Sequence, residues 1–206
     1  MSTISIIGAG SMAAAIAGRI AKAGHIVEVA SRAPDKAQAL ADRLGAGATT
    51  AKYGTTPAGD IVILAVPYTG AATAVADYGD ALDGKVVIDI TNPVAPDLSG
   101  LVTPHGSSGA QEIAKSLPAG AHVVKAFNTI FGHVLAKGGR LDAFIAADDA
   151  QAKARISTFL ESLGLRPLDV GGLRMAQTLE ALGLMMIGLA QNGAGTWDFA
   201  MKVDIG

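Results

Sequence analysis

The stretch that most constrains this chain is Ile4-Ser5-Ile6-Ile7-Gly8-Ala9-Gly10-Ser11-Met12-Ala13. An apolar run stops at a glycine-punctuated turn, which opens into the helical pattern Ala14, Ala15, Ile16, Ile20, Ala21. Strand, tight turn and helix in that order, with Gly8-x-Gly10-x-x-Ala13 at the turn, form the fingerprint of a dinucleotide-binding unit. Gly8 lets the chain turn sharply, Gly10 lets backbone come within contact of a pyrophosphate, and a small residue at 13 lets helix pack on strand. The helix N-terminus offers free N–H groups and a positive dipole end to phosphates. Gly24 ends the helix, and a second strand is expected at about residues 26 to 31.

The tip of that second strand selects the cofactor. An Asp or Glu there would accept from a ribose 2′-hydroxyl, but the strand ends Val29-Ala30-Ser31-Arg32, followed by Pro34-Asp35-Lys36. A hydroxyl, a guanidinium and an ammonium suit a 2′-phosphate, so Ser31, Arg32 and Lys36 point to NADP(H). Glu28 lies three residues short of the tip and is poorly placed for a ribose.

Further strands are expected at 60–67, 85–90, 121–127, 143–147 and 166–170, alternating with helices. The continuous apolar run Ile61 to Val66 has the composition of a central parallel strand covered on both faces. The pattern predicts an α/β fold, a Rossmann-type doubly wound parallel sheet over residues 1–170, with a small C-terminal helical element over 171–206. In that element Leu173, Ala176, Leu179, Leu182, Met186 and Leu189 recur at helical spacing, and it is expected to cover the substrate side or to meet a second subunit as a homodimer.

Ligands bind outside the carboxyl edge of such sheets. There the turns Gly8 to Met12, Val66-Pro67-Tyr68 and Thr91-Asn92-Pro93-Val94 converge, with Asn128 to Gly132 flanking a nicotinamide ring. The long Gly/Pro/Ser segment Ala95 to Ser107 is expected to be mobile or functional. His25, His105, His122 and His133 show no metal-ligand spacing, so no metal is expected. His105 and His133 are candidates to touch substrate, whereas His25 and His122 are read as structural. Gly106-Ser107-Ser108-Gly109 lacks the preceding strand of a nucleophile elbow, and Asp89 reads as a satisfied buried carboxylate. With no strong acid–base pair, direct hydride transfer between stacked rings is favoured over ketone reduction, which would want a proton donor.

Composition narrows the partners. The formal charge is −2, the pI is near 6.0, 17% of the 206 residues are charged and half are apolar, so no basic footprint for nucleic acid or membrane surface is present. Without cysteine, disulfides, iron–sulfur ligation and thiol chemistry are excluded. Met1 leads directly into the first strand, which leaves no room for a leader peptide, and Leu182 to Ala190 is too short to cross a bilayer. A cytoplasmic protein with a small-molecule redox acceptor is expected.

Taken together, Gly8-x-Gly10-x-Met12, Ser31-Arg32-x-x-x-Lys36, Ala65-Val66-Pro67, Asp89-Ile90-Thr91-Asn92-Pro93, Val123-Val124-Lys125-Ala126-Phe127-Asn128-Thr129 and Gly164 to Asp169 resemble the coenzyme F420-dependent NADP oxidoreductase family and the reductase domain of the STEAP metalloreductases. The resemblance implies NADP(H) held at its pyrophosphate by Ala9, Gly10, Ser11 and Met12, and along its nicotinamide half by Tyr68, Ala72, Val94 and Gly132. It implies coenzyme F420, FMN or FAD as hydride acceptor, positioned by Asn128, Thr129 and Ile130. Archaeal F420 reductases carry a histidine where Asn128 stands, and the Lys-Ala-Phe-Asn-Thr form is closer to the metalloreductase branch. Two other readings remain: an NADPH-dependent reductase of a small imine or carbonyl, drawing a proton from His133, Tyr68 or Lys125, and a non-catalytic NADP(H) sensor.

Overall fold

A computed structural model describes residues 1–45 and 47–204. Six parallel strands, β1 (Thr3–Ile7), β2 (Ile26–Ala30), β3 (Thr49–Ala51), β4 (Ile61–Leu64), β5 (Val86–Asp89) and β6 (His122–Lys125), form one sheet in the order β3-β2-β1-β4-β5-β6. This is the Rossmann arrangement, in which chain direction through the sheet reverses between β1 and β4 and opens a crevice at their carboxyl ends.

Successive strand residues face opposite sides. Ile4, Ile6, Ile61 and Ile63 pack on one face, under helices α1 (Ser11–Lys22), α2 (Pro34–Leu44) and α6 (Ala150–Ser162). Ile7, Val62, Leu64 and Val87 pack on the other, under α3 (Tyr68–Tyr78) and α4 (Gly109–Ala114). Burial on both faces explains the unbroken apolar runs of β4 and β5. Pro34 occupies the first turn of α2, where its missing N–H costs nothing, so this helix begins directly at the cofactor-selecting tip of β2 and carries Lys36 in its first turn.

The sheet does not continue past β6 as expected. The strands β7 (Asp142–Ile145) and β8 (Arg166–Asp169) pair with each other in a separate two-stranded parallel sheet, joined to β6 by an antiparallel bridge between Lys125 and Ala146. The intervening helix α5 (Gly132–Lys137) has six residues, a rise of about 9 Å. That is too short to return the chain along the strand it leaves, so β7 runs back against β6.

The C-terminal element begins with a 3₁₀ turn at Leu173–Met175 and continues as α7 (Ala176–Asn192). Expected through Gly206, this element includes Ile205 and Gly206, which lie outside the described residues. Leu182 to Ala190, read as too short to cross a bilayer, is part of the helical run Leu173–Asn192, which spans 20 residues with mean hydropathy 1.2, long and apolar enough to cross a membrane by length and composition alone. Its buried side chains Leu173, Ala176, Leu179 and Met186 nevertheless pack on the sheet domain, and Leu173 and Ala176 join the core cluster beneath α3 and α4.

Candidate functional site

At the carboxyl edge, β1 runs out at Ile7 and Gly8 adopts φ +126°, donating its N–H to the Ala30 carbonyl at 2.8 Å. A Cβ at Gly8 would stand 2.1 Å from the Ala65 carbonyl oxygen just after β4, so the turn from β1 into α1 admits only glycine there. Gly10 is different. It caps α1 in extended conformation, no side chain bonds the helix N-terminus, and a Cβ there would meet nothing within 4 Å. The protein itself does not require glycine at 10, and the open space lies where a pyrophosphate would meet the helix N–H groups. The residues therefore fit a dinucleotide.

Three adjoining cavities follow the edge. The first, about 290 Å³, is lined by Gly8, Ala9, Ser31, Arg32, Lys36 and Tyr53. Ser31 Oγ accepts from the Ala33 N–H at 3.2 Å, while Arg32 and Lys36 are exposed. The Tyr53 hydroxyl donates to Asp77 at 2.9 Å and the ring stands edge-on to Tyr78; burial and Asp77 push its phenol up to about 12. The middle cavity, about 420 Å³, is lined by Ser11, Met12, Tyr68, Pro93 and Val94, with Val102 from the long 95–107 segment. That segment is folded on itself, with Leu101 bridging Val94 and the Val102 N–H bonded to the Pro93 carbonyl at 2.7 Å. The third cavity, about 280 Å³, lies between the turn after β6 and α7, and is lined by Asn128, Thr129, Ile130, Phe131, Gly132 and Met186 among others. Gly10, Val66 and Pro67 line both the first and second cavities, and Met12 and Asn92 both the second and third. Of the residues singled out in the sequence for the coenzyme or for positioning the acceptor, Ala72 alone lines none of the three; it sits exposed on α3.

The turn after β6 is held under strain. Phe127, fully buried, has φ +63°, a conformation rare for a bulky side chain. It turns Asn128 so that its amide nitrogen donates to Asn92 Oδ1 at 2.9 Å and to the Leu179 carbonyl on α7 at 2.8 Å, while Asn92 returns a bond to the Asn128 carbonyl at 2.8 Å. Thr91 Oγ1, Asn128 Oδ1 and Thr129 Oγ1 are buried with no hydrogen-bond partner among the described residues. Groups of this kind are rare in native interiors and mark a place where a ligand or water completes the bonding.

Beneath the turn lies a charge cluster that sequence reasoning missed as a unit. Lys125 Nζ donates to Asp89 Oδ2 and Glu180 Oε1, each at 2.8 Å, and to the Thr91 carbonyl at 2.5 Å, with all three charged side chains fully buried. Asp89 also accepts from the Thr91 N–H at 2.9 Å, and Glu180 from the Gly109 and Ala110 N–H groups at 3.0 and 3.3 Å. Two carboxylates share one ammonium, and burial raises the Glu180 carboxyl above its ordinary range against the pull of Lys125. Glu180 is the only charged residue in α7; a lone acid in an apolar helix was the available signal. Burial and the field of Glu112, Glu180 and Asp89 also raise the Tyr68 phenol, which keeps it a hydrogen-bond donor.

The remaining candidates lie elsewhere. Glu28 is turned inward, accepting from Ser5 Oγ at 2.6 Å and the Ala58 N–H at 3.0 Å. His25 bonds Ser162 at 2.9 Å, His122 lies 4.0 Å from Asp149, His133 stacks on Phe131, and His105 is exposed. Ser108 caps α4 through the Gln111 N–H at 3.1 Å. A larger cavity of about 560 Å³ opens at the opposite edge of the sheet, among Thr3, His25, Asp60 and Arg155, away from the strand ends where ligands bind in this fold.

Residues 3–93 match the family model described as NADP oxidoreductase, coenzyme F420-dependent. The F420-dependent NADP reductase of Methanothermobacter marburgensis is 30% identical over 201 residues, covering 88% of this chain and 89% of the relative. The metalloreductase STEAP3 of Rattus norvegicus is 29% identical over 187 residues, 89% of this chain, which spans 37% of that relative's length. A solved structure from Arthrobacter sp. FB24, provisionally named an F420-dependent NADP reductase, superposes with a TM-score of 0.87 at 26% identity over the whole of both chains. The chain is thus an NADP-dependent oxidoreductase, and it belongs to the coenzyme F420-dependent NADP oxidoreductase family.

Proposed function

We propose that this protein passes hydride between NADP(H) and a deazaflavin- or flavin-type ring, and that the three adjoining cavities are the two halves of the NADP(H) site followed by the ring site of the acceptor. The observation that carries this reading is the shared wall: Met12 and Asn92 line both the middle cavity and the one at Asn128 to Gly132, so a ring in the third lies beside a nicotinamide in the second. When bound, the nicotinamide supplies or takes the hydride at its C4.

The chain's residues do the rest by placement. Gly10 and the first turn of α1 receive the pyrophosphate, while Ser31, Arg32 and Lys36 surround the 2′-phosphate. Met12, Ile90, Ile130 and Met186 give the ring end apolar walls that exclude water. Asn92 and Asn128 hold each other in fixed orientation beside it. Among the described residues no titratable side chain lines the third cavity, which suits transfer governed by proximity and alignment.

The test is anaerobic stopped-flow with NADPH and, separately, F420, FMN and FAD, followed at the nicotinamide absorbance, with NADH as comparison. Transfer to at least one ring and preference for NADPH is expected. Absence of transfer to all three would sink the reading.

A further inference from the structure

The wall of the third cavity that faces solvent comes from a segment with no counterpart in the dinucleotide fingerprint. After α7 the chain turns back across α5 toward the small sheet and is tied down along its length. Asp198 pairs with Lys137, Phe199 stands edge-on to Phe131 with centroids 5.4 Å apart, and the Val203 N–H donates to Asp142 at 2.7 Å. This anchoring fixes Trp197, whose indole packs edge-on to Phe131 at 5.3 Å and lines the cavity together with Met12 and Asn128, yet stays 43% exposed. A half-exposed indole on an anchored segment is a large apolar plane held at the mouth of a cavity.

The lining also has polar members. Asn128 and Thr129 line the same cavity; Asn128 Oδ1 and Thr129 Oγ1 are buried just behind that lining without partners among the described residues, and because both amide hydrogens of Asn128 are donated elsewhere, its free atom is an acceptor. An apolar plane in the same cavity as a residue pair that carries an unpaired acceptor and an unpaired hydroxyl matches a planar heteroaromatic ring with an N–H and a carbonyl on one edge. At about 280 Å³ the cavity sits just below the range of whole small-molecule sites, about 300–1,000 Å³, so it has room for the ring system while the rest of the acceptor stays outside.

We propose that Trp197 is a binding residue for the hydride acceptor, forming the outer wall on which the acceptor's ring stacks while Asn128 and Thr129 meet its polar edge. This rests on the proposed hydride transfer to a flavin-type ring.

The test compares wild type, Trp197→Ala and Trp197→Phe for three quantities: KM for FMN and F420 with NADPH, Kd for NADPH by calorimetry, and Kd for riboflavin by equilibrium dialysis with NADP⁺-loaded protein. Thermal midpoints and sedimentation velocity report fold and subunit number. The alanine variant is expected to weaken the acceptor, in KM and riboflavin Kd, about tenfold, the scale of one aromatic stacking contact, with NADPH Kd held within about twofold and the phenylalanine variant in between. Unchanged acceptor values in the alanine variant, equal weakening of NADPH, or a loss that tracks subunit dissociation would overturn the assignment. If wild type binds riboflavin in a Trp197-dependent way but transfers no hydride, the binding role stands and the transfer reading falls. If wild type neither binds riboflavin nor reduces any ring, both fall.

Discussion

Lys125 Nζ lies 2.8 Å from Glu180 Oε1, both side chains fully buried, and through this contact the C-terminal helix is fastened to the end of β6 directly under the proposed nicotinamide site. A lysine with two carboxylates in a dry interior is costly to assemble, but it is costlier to dismantle in part. Lys125→Met leaves Asp89 and Glu180 buried without their cation, and a loss of about 3–5 kcal/mol is expected. For a chain of this size that is on the order of 10 °C in thermal midpoint. Glu180→Gln, which keeps an acceptor for Lys125 and leaves Asp89 as its counter-ion, is expected to cost less. Calorimetric melts of the two variants check the ranking.

The same cluster makes a pH prediction with a definite sign. Burial raises the Glu180 carboxyl, so over the interval between its unfolded and folded values the native chain binds a proton that the unfolded chain has released. Its contribution to stability is therefore fully present below the ordinary glutamate range and is lost as pH rises through the folded value. Carboxylates such as Asp142, held low chiefly by the Arg166 hydrogen bonds, act in the opposite sense: their contribution is lost as pH falls. The two are separated by difference. Urea midpoints of wild type and Glu180→Gln, measured from about pH 4 to about pH 8, should show wild type losing ground to the variant as pH rises; a constant difference would remove the buried proton from the account.

The coenzyme half of the cleft is open to a separate test. Arg32 is exposed, its guanidinium reaching toward the first turn of α3, where a Cβ on Gly70 would stand 3.7 Å from Nη2. A charge-assisted bond to a phosphate contributes about 1.5–3 kcal/mol, so Arg32→Ala should weaken NADPH by about tenfold to about a hundredfold and leave NADH nearly unchanged. Paired calorimetric titrations of the two cofactors measure it; equal loss for both would place Arg32 on the adenine or the fold rather than on the 2′-phosphate.

Local chemistry made much of this architecture legible. Gly8, Gly10 and Ala13 specify strand, turn and helix within a few residues of each other, and the polar or proline-bearing tips after β4, β5 and β6 fall at one edge because parallel strands share one direction. What escaped depends on contacts distant in sequence. Glu180 acquires its meaning from Lys125, 55 residues away, and Trp197 from a tail pinned to Lys137 and Asp142, each 61 residues from its tail partner, neither of which leaves a periodic signature. The separate β7–β8 sheet escaped for a related reason: alternation of strands and helices reports which elements exist, whereas the edge on which a strand lands depends here on the length of the helix before it.

Two glycines of α7 give opposite predictions from one substitution. At Gly183 a Cβ would stand 2.5 Å from Asn92 Oδ1 and 2.9 Å from both Cγ and Nδ2, so the Asn92 side chain must leave its place between Asn128 and the helix or α7 must retreat. Either displacement breaks the mutual amide bonds at the wall shared by the middle and ring-end cavities, and overpacking of this kind costs about 1–3 kcal/mol. At Gly188, five residues further along the same helix, a Cβ would meet nothing within 4 Å. There the only change is the helix preference of alanine over glycine, a gain of about 0.5–1 kcal/mol. Gly183→Ala should therefore lower the urea midpoint and raise KM for the acceptor, and Gly188→Ala should raise the midpoint and leave KM alone. The contrast controls for helix propensity, which has the same sign at both positions. If both variants are stabilised, Asn92 relaxes without loss and the close approach of α7 does not define the ring end of the cleft.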